Sequence, residues 1–333
     1  MRIVVDLPTV LARRAAQAVE GGLYPSIDAL LVEALSGLLP PDDVKPLESA
    51  GAQVATPVQD GANADPSPSR PVGAYVYSTA VGTGWLWGMI NRVFPLKVAV
   101  RACADMTRRG PVLLQSLHAH FADEGRRIGQ LLASADRDQG RRRNEALAVA
   151  FPVSSPDEQK ARVRFAHQFI GRRSAGGLYI GGAFEMALLG VTEPGTDWIA
   201  PTELGWQFAE LTNRVLDEGV VTGPNLDEPE RRFYLCNIAR RVPAERNAFT
   251  AILGVLYDAP LEASTLASRL RVFQSPDLPE SMRDTSRSGA LARLADVGGI
   301  VRIATGRSAL YEITALGRDA YERLATTEAT SQT

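Results

Sequence analysis

Residues 40–72 divide this chain, because their composition does not allow them to form a folded core. They contain seven prolines, many alanine, aspartate and serine residues, and almost no large apolar side chain. Such a segment cannot bury enough apolar surface to offset the conformational entropy that folding removes. Residues 40–72 are therefore predicted to be a flexible, disordered linker. The linker separates a short N-terminal piece, residues 1–39, from the longer and more apolar remainder.

The composition of the whole chain limits the class of protein. With 333 residues and 45% hydrophobic content, the chain is long enough for two or three domains. No apolar run approaches the roughly 18 residues of a spanning helix, and no charged-then-apolar leader begins the chain, so we expect a cytoplasmic protein without a membrane partner. The net charge of −2 means that binding to a nucleic acid would depend on local basic patches. The two cysteines, Cys103 and Cys236, form no CxxC pair, which favours buried thiols over a disulfide or a metal site.

The first eight residues, MRIVVDLP, alternate in the pattern of a β-strand. The apolar face contains Ile3, Val5 and Leu7, and the opposite face contains Arg2, Val4 and Asp6. Two short helices are predicted to follow: one ends at Gly21-Gly22, and the other begins at a Ser26 N-cap. One strand and two short helices cannot enclose a core, so this unit is predicted to form a homodimer in which the strand pairs with its copy.

The order of strand, proline, helix, "GGLYPSIDALLVEAL" and second helix resembles the ribbon-helix-helix superfamily of phage, plasmid and antitoxin repressors. The resemblance covers residues 1–39. It implies that the ribbon enters the major groove of DNA and that the second helix holds a phosphate at its N-terminus. By position, the residues facing the bases would be Arg2, Val4 and Asp6, and the phosphate would be held by the backbone of Ser26 and Ile27. Arginine suits guanine and valine suits the thymine methyl group.

Asp6 departs from the pattern of a DNA-reading ribbon. Its carboxylate can accept a hydrogen bond from a cytosine amino group, but phosphates repel it, and Asp28 adds a second negative charge near the proposed phosphate site. Two interpretations of the N-terminal unit therefore stay open. In one, the ribbon reads DNA. In the other, it only dimerises or captures a protein partner.

The last hundred residues show the clearest pattern in the chain. Helices are predicted in AERNAFTAILGVLYD, LEASTLASRL and SMRDTSRSGALARLADVGG, followed by two alternating strands around Thr305-Gly306-Arg307 and a final helix that Thr314 caps. Residues 244–325 thus resemble the winged-helix domains of bacterial regulators. In such domains the third helix lies in the major groove and the hairpin wing reaches a phosphate or the minor groove. The resemblance implies these contacts: Arg283, Ser286, Arg287 and Arg293 on the third helix, and Arg302 and Arg307 on the wing. The alternative is that these side chains lie on ordinary solvated faces of an interaction module.

The middle of the chain contains a weaker echo of the same pattern. Thr202-Glu203-Leu204-Gly205 precedes Thr314-Ala315-Leu316-Gly317 by 112 residues (314 − 202), and in both places a predicted strand runs into a threonine-capped helix. This echo predicts two winged-helix copies in tandem, at residues 73–225 and 226–326, with a disordered tail at 327–333. Basic pairs accumulate in the middle region and would form an electrostatic footprint if they shared one face: Arg108-Arg109, Arg126-Arg127, Arg141-Arg142-Arg143 and Arg172-Arg173.

No catalytic or cofactor motif is recognisable in the sequence. His118 and His120 are two residues apart on a predicted helix, so they point about 200° apart and do not form a metal pair. The glycines of AVGTGWLWG miss the spacing of a dinucleotide-binding or phosphate-binding loop. We therefore expect a protein that is not an enzyme and that uses neither metal nor cofactor.

Together these patterns predict a mainly α fold with small β elements, built from a ribbon-helix-helix dimerisation unit, a flexible linker and tandem winged-helix domains. The function they favour is that of a sequence-specific, double-stranded DNA-binding regulator, a repressor acting as a homodimer on the nucleoid. The alternative is a protein-interaction, architectural or antitoxin-like module of a toxin, defence or chromosome-organising complex.

Overall fold

A computed structural model describes residues 84–86, 88–142, 145–153, 158–174, 177–193, 195–305 and 308–331. The predicted ribbon-helix-helix unit and the linker lie outside these residues. The described residues belong to one compact unit and share a continuous hydrophobic core.

The described part of the chain is mainly helical, with small antiparallel sheets. Its α-helices, in chain order, are α1 (Phe94–Met106), α2 (Leu114–Asp138), α3 (Glu158–Phe169), α4 (Gly182–Glu185), α5 (Glu203–Glu210), α6 (Arg214–Asp217), α7 (Glu228–Phe233), α8 (Ala239–Arg241), α9 (Pro243–Leu256), α10 (Ala263–Leu270), α11 (Glu280–Asp296) and α12 (Ala315–Ser331). Its strands are β1 (Val112–Leu113), β2 (Arg172–Arg173), β3 (Tyr179–Ile180), β4 (Leu189–Val191), β5 (Trp198–Pro201), β6 (Leu261–Glu262), β7 (Ile300–Thr305) and β8 (Ser308–Ile313). A π-helical turn, Tyr234–Ile238, joins α7 to α8.

Two stretches of the chain have the same order of elements. The first module runs α1–β1–α2–α3–β4–β5–α5, with the β2–β3 hairpin and α4 inserted after α3. The second runs α9–β6–α10–α11–β7–β8–α12. In each module the short first strand pairs antiparallel with the last strand, giving the sheet orders β1-β5-β4 and β6-β8-β7. The chain therefore repeats one topology.

Thr202 and Thr314, which the sequence places in similar four-residue stretches, make the same hydrogen bonds where a strand meets the following helix. Thr202 accepts a hydrogen bond from the backbone N–H of Gly205 at 3.0 Å, and Thr314 accepts one from Gly317 at 3.0 Å. The Thr202 hydroxyl donates to the carbonyl of Ala187 at 2.6 Å, as Thr314 donates to Gly298 at 2.7 Å. Each threonine thus caps one helix and also ties it to a residue two positions before a strand.

Each junction also requires a left-handed backbone at the same place. Ala187 has φ +54° and Gly298 has φ +72°. Glycine adopts this conformation without cost, whereas alanine is strained in it. The first module therefore retains the turn with a less suitable residue, and the contacts around Thr202 must hold it in place.

The helices are held by the apolar stripes that their sequences predict. On α2, Leu117, Phe121, Ile128 and Leu132 are fully buried, whereas Leu113, which precedes the helix, is exposed. Ten of the thirteen residues of α1 are buried, so this helix lies at the centre of the first module. In the described part of the chain, no helix is both long and apolar enough to cross a bilayer.

Candidate nucleic-acid interface

Six of the eleven residues predicted to touch DNA lie outside the described residues. These are the ribbon residues Arg2, Val4 and Asp6, the phosphate-site residues Ser26 and Ile27, and Arg307 at the tip of the second hairpin. For them the DNA contact stays a prediction. The other five, on α11 and β7, have a defined environment.

Arg293 of α11 is a structural residue. Its side chain is 0% exposed and forms a two-point ion pair with Glu245 of α9, with Nε at 2.8 Å from Oε1 and Nη2 at 2.6 Å from Oε2. Its remaining terminal nitrogen donates to the carbonyl of Ile90. A fully buried side chain with these partners cannot reach a base or a phosphate while the protein is folded. The prediction of a DNA contact for Arg293 is therefore corrected.

The other predicted residues of α11 are also turned inward or paired. Ser286 is buried in the core face. Arg283 forms an ion pair with Glu280 at 3.2 Å, and Arg287 forms one with Asp284 at 2.6 Å. The Arg287 side chain is only 11% exposed. Because Arg283 and Arg287 are each paired with a carboxylate three residues earlier, this helix offers little net positive charge to a phosphate.

A segment at the start of the first module covers one side of α11. A Cβ atom added to Gly88 would lie 1.8 Å from the backbone oxygen of Thr285, and one added to Gly289 would lie 2.4 Å from the Cα of Gly88. Arg92 then pairs with Asp296 at 2.9 Å. The two backbones touch because both crossing positions are glycine. This contact further reduces the surface that α11 could offer to DNA.

Arg302 lies exposed on β7, as the wing prediction requires. Its neighbours Val301 and Ile303 are also exposed, at 43% and 42%. The strand β7 is the outer strand of its sheet, paired with β8 on one side. The second hairpin thus combines one cation with two uncovered apolar side chains.

The third helix of the first module, α3, has a more basic surface than α11. Lys160, Arg164 and His167 recur at helical spacing and are exposed, while Phe165 and Phe169 on the opposite side are buried. Arg172 of β2 follows directly and is also exposed. Among the described residues, neither Arg164 nor Arg172 forms an ion pair. Arg172 of the predicted pair Arg172-Arg173 therefore belongs to a larger basic surface, formed by Lys160, Arg164, His167 and Arg172, whereas Arg173 pairs with Asp197 at 3.7 Å.

Lys160, Arg164 and His167 are not among the residues predicted from the sequence. They form no adjacent basic pair but lie three or four positions apart in EQKARVRFAHQF, on the side of the helix opposite the buried Phe165 and Phe169. That spacing is a sequence signal of one helix face. The opposite loop between β4 and β5 contains Glu193 and Asp197, so the basic surface does not extend to this hairpin.

His167 of the basic surface contacts a second histidine, His118, which is 49 positions earlier in the sequence (167 − 118). The rings of His118 and His167 form an edge-on contact with centroids 5.2 Å apart, and Nε2 of His118 lies 2.7 Å from the carbonyl oxygen of Gly171. Burial lowers the pKa of His118, and the nearby His167 lowers it further. Within the described ranges, no group of three or more His, Cys, Asp or Glu side chains is arranged to hold a metal ion.

Cys103 and Cys236 are free thiols, and burial raises the pKa of both. Cys103 is fully buried, as predicted, whereas Cys236 is half-buried in the π-helical turn.

No protein-family model, no curated protein and no solved structure matches this chain. The arrangement of its own residues is therefore the basis for assigning a function.

Proposed function

We propose that this chain is a sequence-specific, double-stranded DNA-binding protein that acts as a dimeric transcriptional regulator, a repressor in the cytoplasm. The observation that supports this proposal is the basic surface on α3, formed by Lys160, Arg164, His167 and Arg172. Arginine pairs with guanine edges and phosphates in a planar, two-point geometry, which suits a helix lying in a major groove.

The repeated topology supports the same proposal. In both modules the order of helices and strands, including a first strand paired with the last, is the order expected of a winged-helix domain. In that family the third helix enters the major groove. Here the third helices are α3 and α11, and of the two, α3 exposes an arginine, Arg164, that forms no ion pair with a described residue. The proposal therefore assigns DNA contact to α3 and β2 rather than to α11.

DNA binding can be tested by footprinting the full chain on the DNA upstream of its gene, followed by titration of the protected site. We expect one protected site, and we expect Arg164→Gln and Arg172→Gln each to weaken binding at least 10-fold. Arg241→Gln is the matched control, because Arg241 is also exposed and unpaired in the described structure but lies outside the basic surface. Absence of a protected site, or equal loss in all three variants, would contradict the proposal.

A second candidate function is supported by the second module. Val301 and Ile303 are exposed on an outer strand, which is the geometry that favours pairing with a strand of another protein. Because the segment around Gly88 partly covers α11, this module is better suited to a protein partner than to DNA. If the second function is correct, Val301→Lys/Ile303→Lys abolishes association with a protein partner and leaves binding to DNA unchanged.

A further inference from the structure

A groove of about 550 Å³ lies beside α3. One wall is α3 itself, with Val163 and Arg164. The other walls are Met89, Ile180 of β3 and Arg172 of β2, and the carboxyl group of Glu185 lines the groove as well. The volume lies within the range of small-molecule sites in proteins.

Part of the groove wall is apolar and exposed to solvent. Met89 is 45% exposed and Val163 is 42% exposed, although both face the same cleft as Ile180. Burial of either side chain by an apolar body would be favourable, because it removes apolar surface from water. The cleft is therefore suited to an occupant with an apolar body.

The charges around the groove specify the occupant further. Arg164 and Arg172 are exposed at the groove and form no ion pair with any described residue, and guanidinium groups bind oxyanions in two-point geometry. Glu185 is 9% exposed, and burial raises the pKa of its carboxyl group. The charge of the two arginines thus lies at the accessible part of the groove, and the one carboxyl group lies deep in it.

A larger groove, of about 890 Å³, lies between α7 and α12, and most of its arginines are paired. Asp319 pairs there with Arg232 at 3.2 Å and with Arg323 at 3.0 Å, which leaves Arg240 as the one arginine of this groove without an ion pair to a described residue. The groove beside α3 has two such arginines, Arg164 and Arg172, so it favours an anion more strongly.

From these observations we infer that the groove beside α3 binds a small organic oxyanion, with its apolar body against Met89, Val163 and Ile180 and its carboxylate or phosphate on Arg164 and Arg172. This site does not depend on DNA binding, because all of its walls belong to the protein. If DNA also binds at α3, the ligand competes with it for Arg164 and Arg172.

The site can be tested by calorimetric titration of the full chain, without DNA, with three probes that share one apolar body. These are 1-naphthoate, 1-naphthyl phosphate and 1-naphthalenemethanol. We expect at least one of the two anions to bind with one-to-one stoichiometry and at least 10-fold more tightly than the neutral alcohol. The stronger anion identifies the head group. Equal binding of the alcohol, or no binding of either anion, would overturn the inference.

Variants then locate the site. Val163→Asp is expected to abolish binding of the anions, and Arg164→Gln and Arg172→Gln are expected to weaken it at least 10-fold. Arg269→Gln, which removes an exposed arginine from α10, is expected to leave it unchanged. Because Val163 and both arginines are exposed, unfolding curves should confirm that these variants fold. Unchanged binding in Val163→Asp would place the ligand elsewhere and refute the site.

The same titration separates this inference from the proposed function. Binding of an anion without any protected DNA site would retain the ligand site and reject DNA recognition. A protected DNA site without binding of any probe would do the reverse.

Discussion

Glu245 and Arg293 form a fully buried ion pair that joins the first and third helices of the second module. Tyr234 donates a third hydrogen bond to the Glu245 carboxylate at 2.8 Å, and Arg293 also donates to the carbonyl of Ile90. Removing one member would leave a buried charge without its partner, which costs about 3–5 kcal/mol. The pair thus links α9, α11 and the segment that precedes α1.

We expect Glu245→Ala to lower the free energy of unfolding by about 3–5 kcal/mol, as measured by denaturant titration. The matched double variant, Glu245→Leu/Arg293→Met, replaces both charges with apolar side chains of similar size. This double variant should recover much of the free energy of unfolding that Glu245→Ala loses. If the double variant is as unstable as Glu245→Ala, the loss does not come from an uncompensated charge.

Arg287→Gln should leave DNA affinity within about twofold of the unaltered protein. Arg287 is mostly buried and already paired with Asp284. Arg164→Gln, in contrast, should weaken binding and reduce the slope of log K against log salt by about 1, since one phosphate contact is lost. Both slopes are measurable by anisotropy titration at several salt concentrations. A larger loss of DNA affinity in Arg287→Gln than in Arg164→Gln would indicate that α11, and not α3, contacts the DNA.

Gly88→Ala should destabilise the protein, because the new methyl group would lie 1.8 Å from the backbone oxygen of Thr285. Overpacking of this kind typically costs about 1–3 kcal/mol. Gly223→Ala is the control, since a Cβ atom at Gly223 would meet nothing within 4 Å. Thermal unfolding of the two variants gives the comparison, and equal melting temperatures would argue against a tight crossing of the two backbones.

Lys97 and Glu230 form another fully buried pair, with Nζ and Oε1 3.0 Å apart. Burial lowers the pKa of Lys97 to about 8, although Glu230 opposes the shift, and burial raises the pKa of Glu230. Between pH 8 and the ordinary lysine pKa of 10.5, the unfolded chain therefore holds a proton that the folded protein has released. The contribution of Lys97 to the free energy of unfolding should rise with pH across this window.

The reference for this pH dependence is the double variant Lys97→Met/Glu230→Leu, which lacks both titrating groups. The stability of the unaltered protein relative to this variant should increase from pH 8 to pH 10. Parallel stability profiles for the two proteins over that range would show that Lys97 does not titrate there.

Thr202→Ala and Thr314→Ala should each lower the free energy of unfolding by about 1 kcal/mol, since each removes a helix cap. Serine at either position retains the hydroxyl group and should restore most of the stability. The two losses should be similar, because the threonines make the same hydrogen bonds at equivalent places. A loss at only one position would indicate that the repeat is not equivalent in energy.

The sequence predicted the elements whose patterns are local. The β7–β8 hairpin and the helix cap at Thr314 are both present, and the described part of the chain is mainly α with small sheets. The strands β1 and β6 were missed because two residues are too few to show an alternation. The final helix continues to Ser331, beyond the predicted end of the domain at residue 326.

The environment of Arg293 was not visible in the sequence, for a physical reason. Helical periodicity places a residue on a face, but it does not reveal that Glu245, 48 positions earlier, lies opposite. A charged side chain is usually solvated, so an arginine on a predicted recognition helix was assigned to the surface. The basic surface on α3 does have a sequence signal in the helical spacing of its residues, but only the structure shows that Phe165 and Phe169 are buried and turn that face outward.

The crossing of Gly88 and Ile90 over α11 also sets an order of events during synthesis. Ile90 leaves the ribosome 203 residues before Arg293, the residue that binds its carbonyl group. At about 5–20 residues per second, that delay lasts roughly 10–40 s. During this time the apolar segment before α1 has no α11 to pack against, and it is exposed to chaperones and to other nascent chains. The last module to be made thus completes the first.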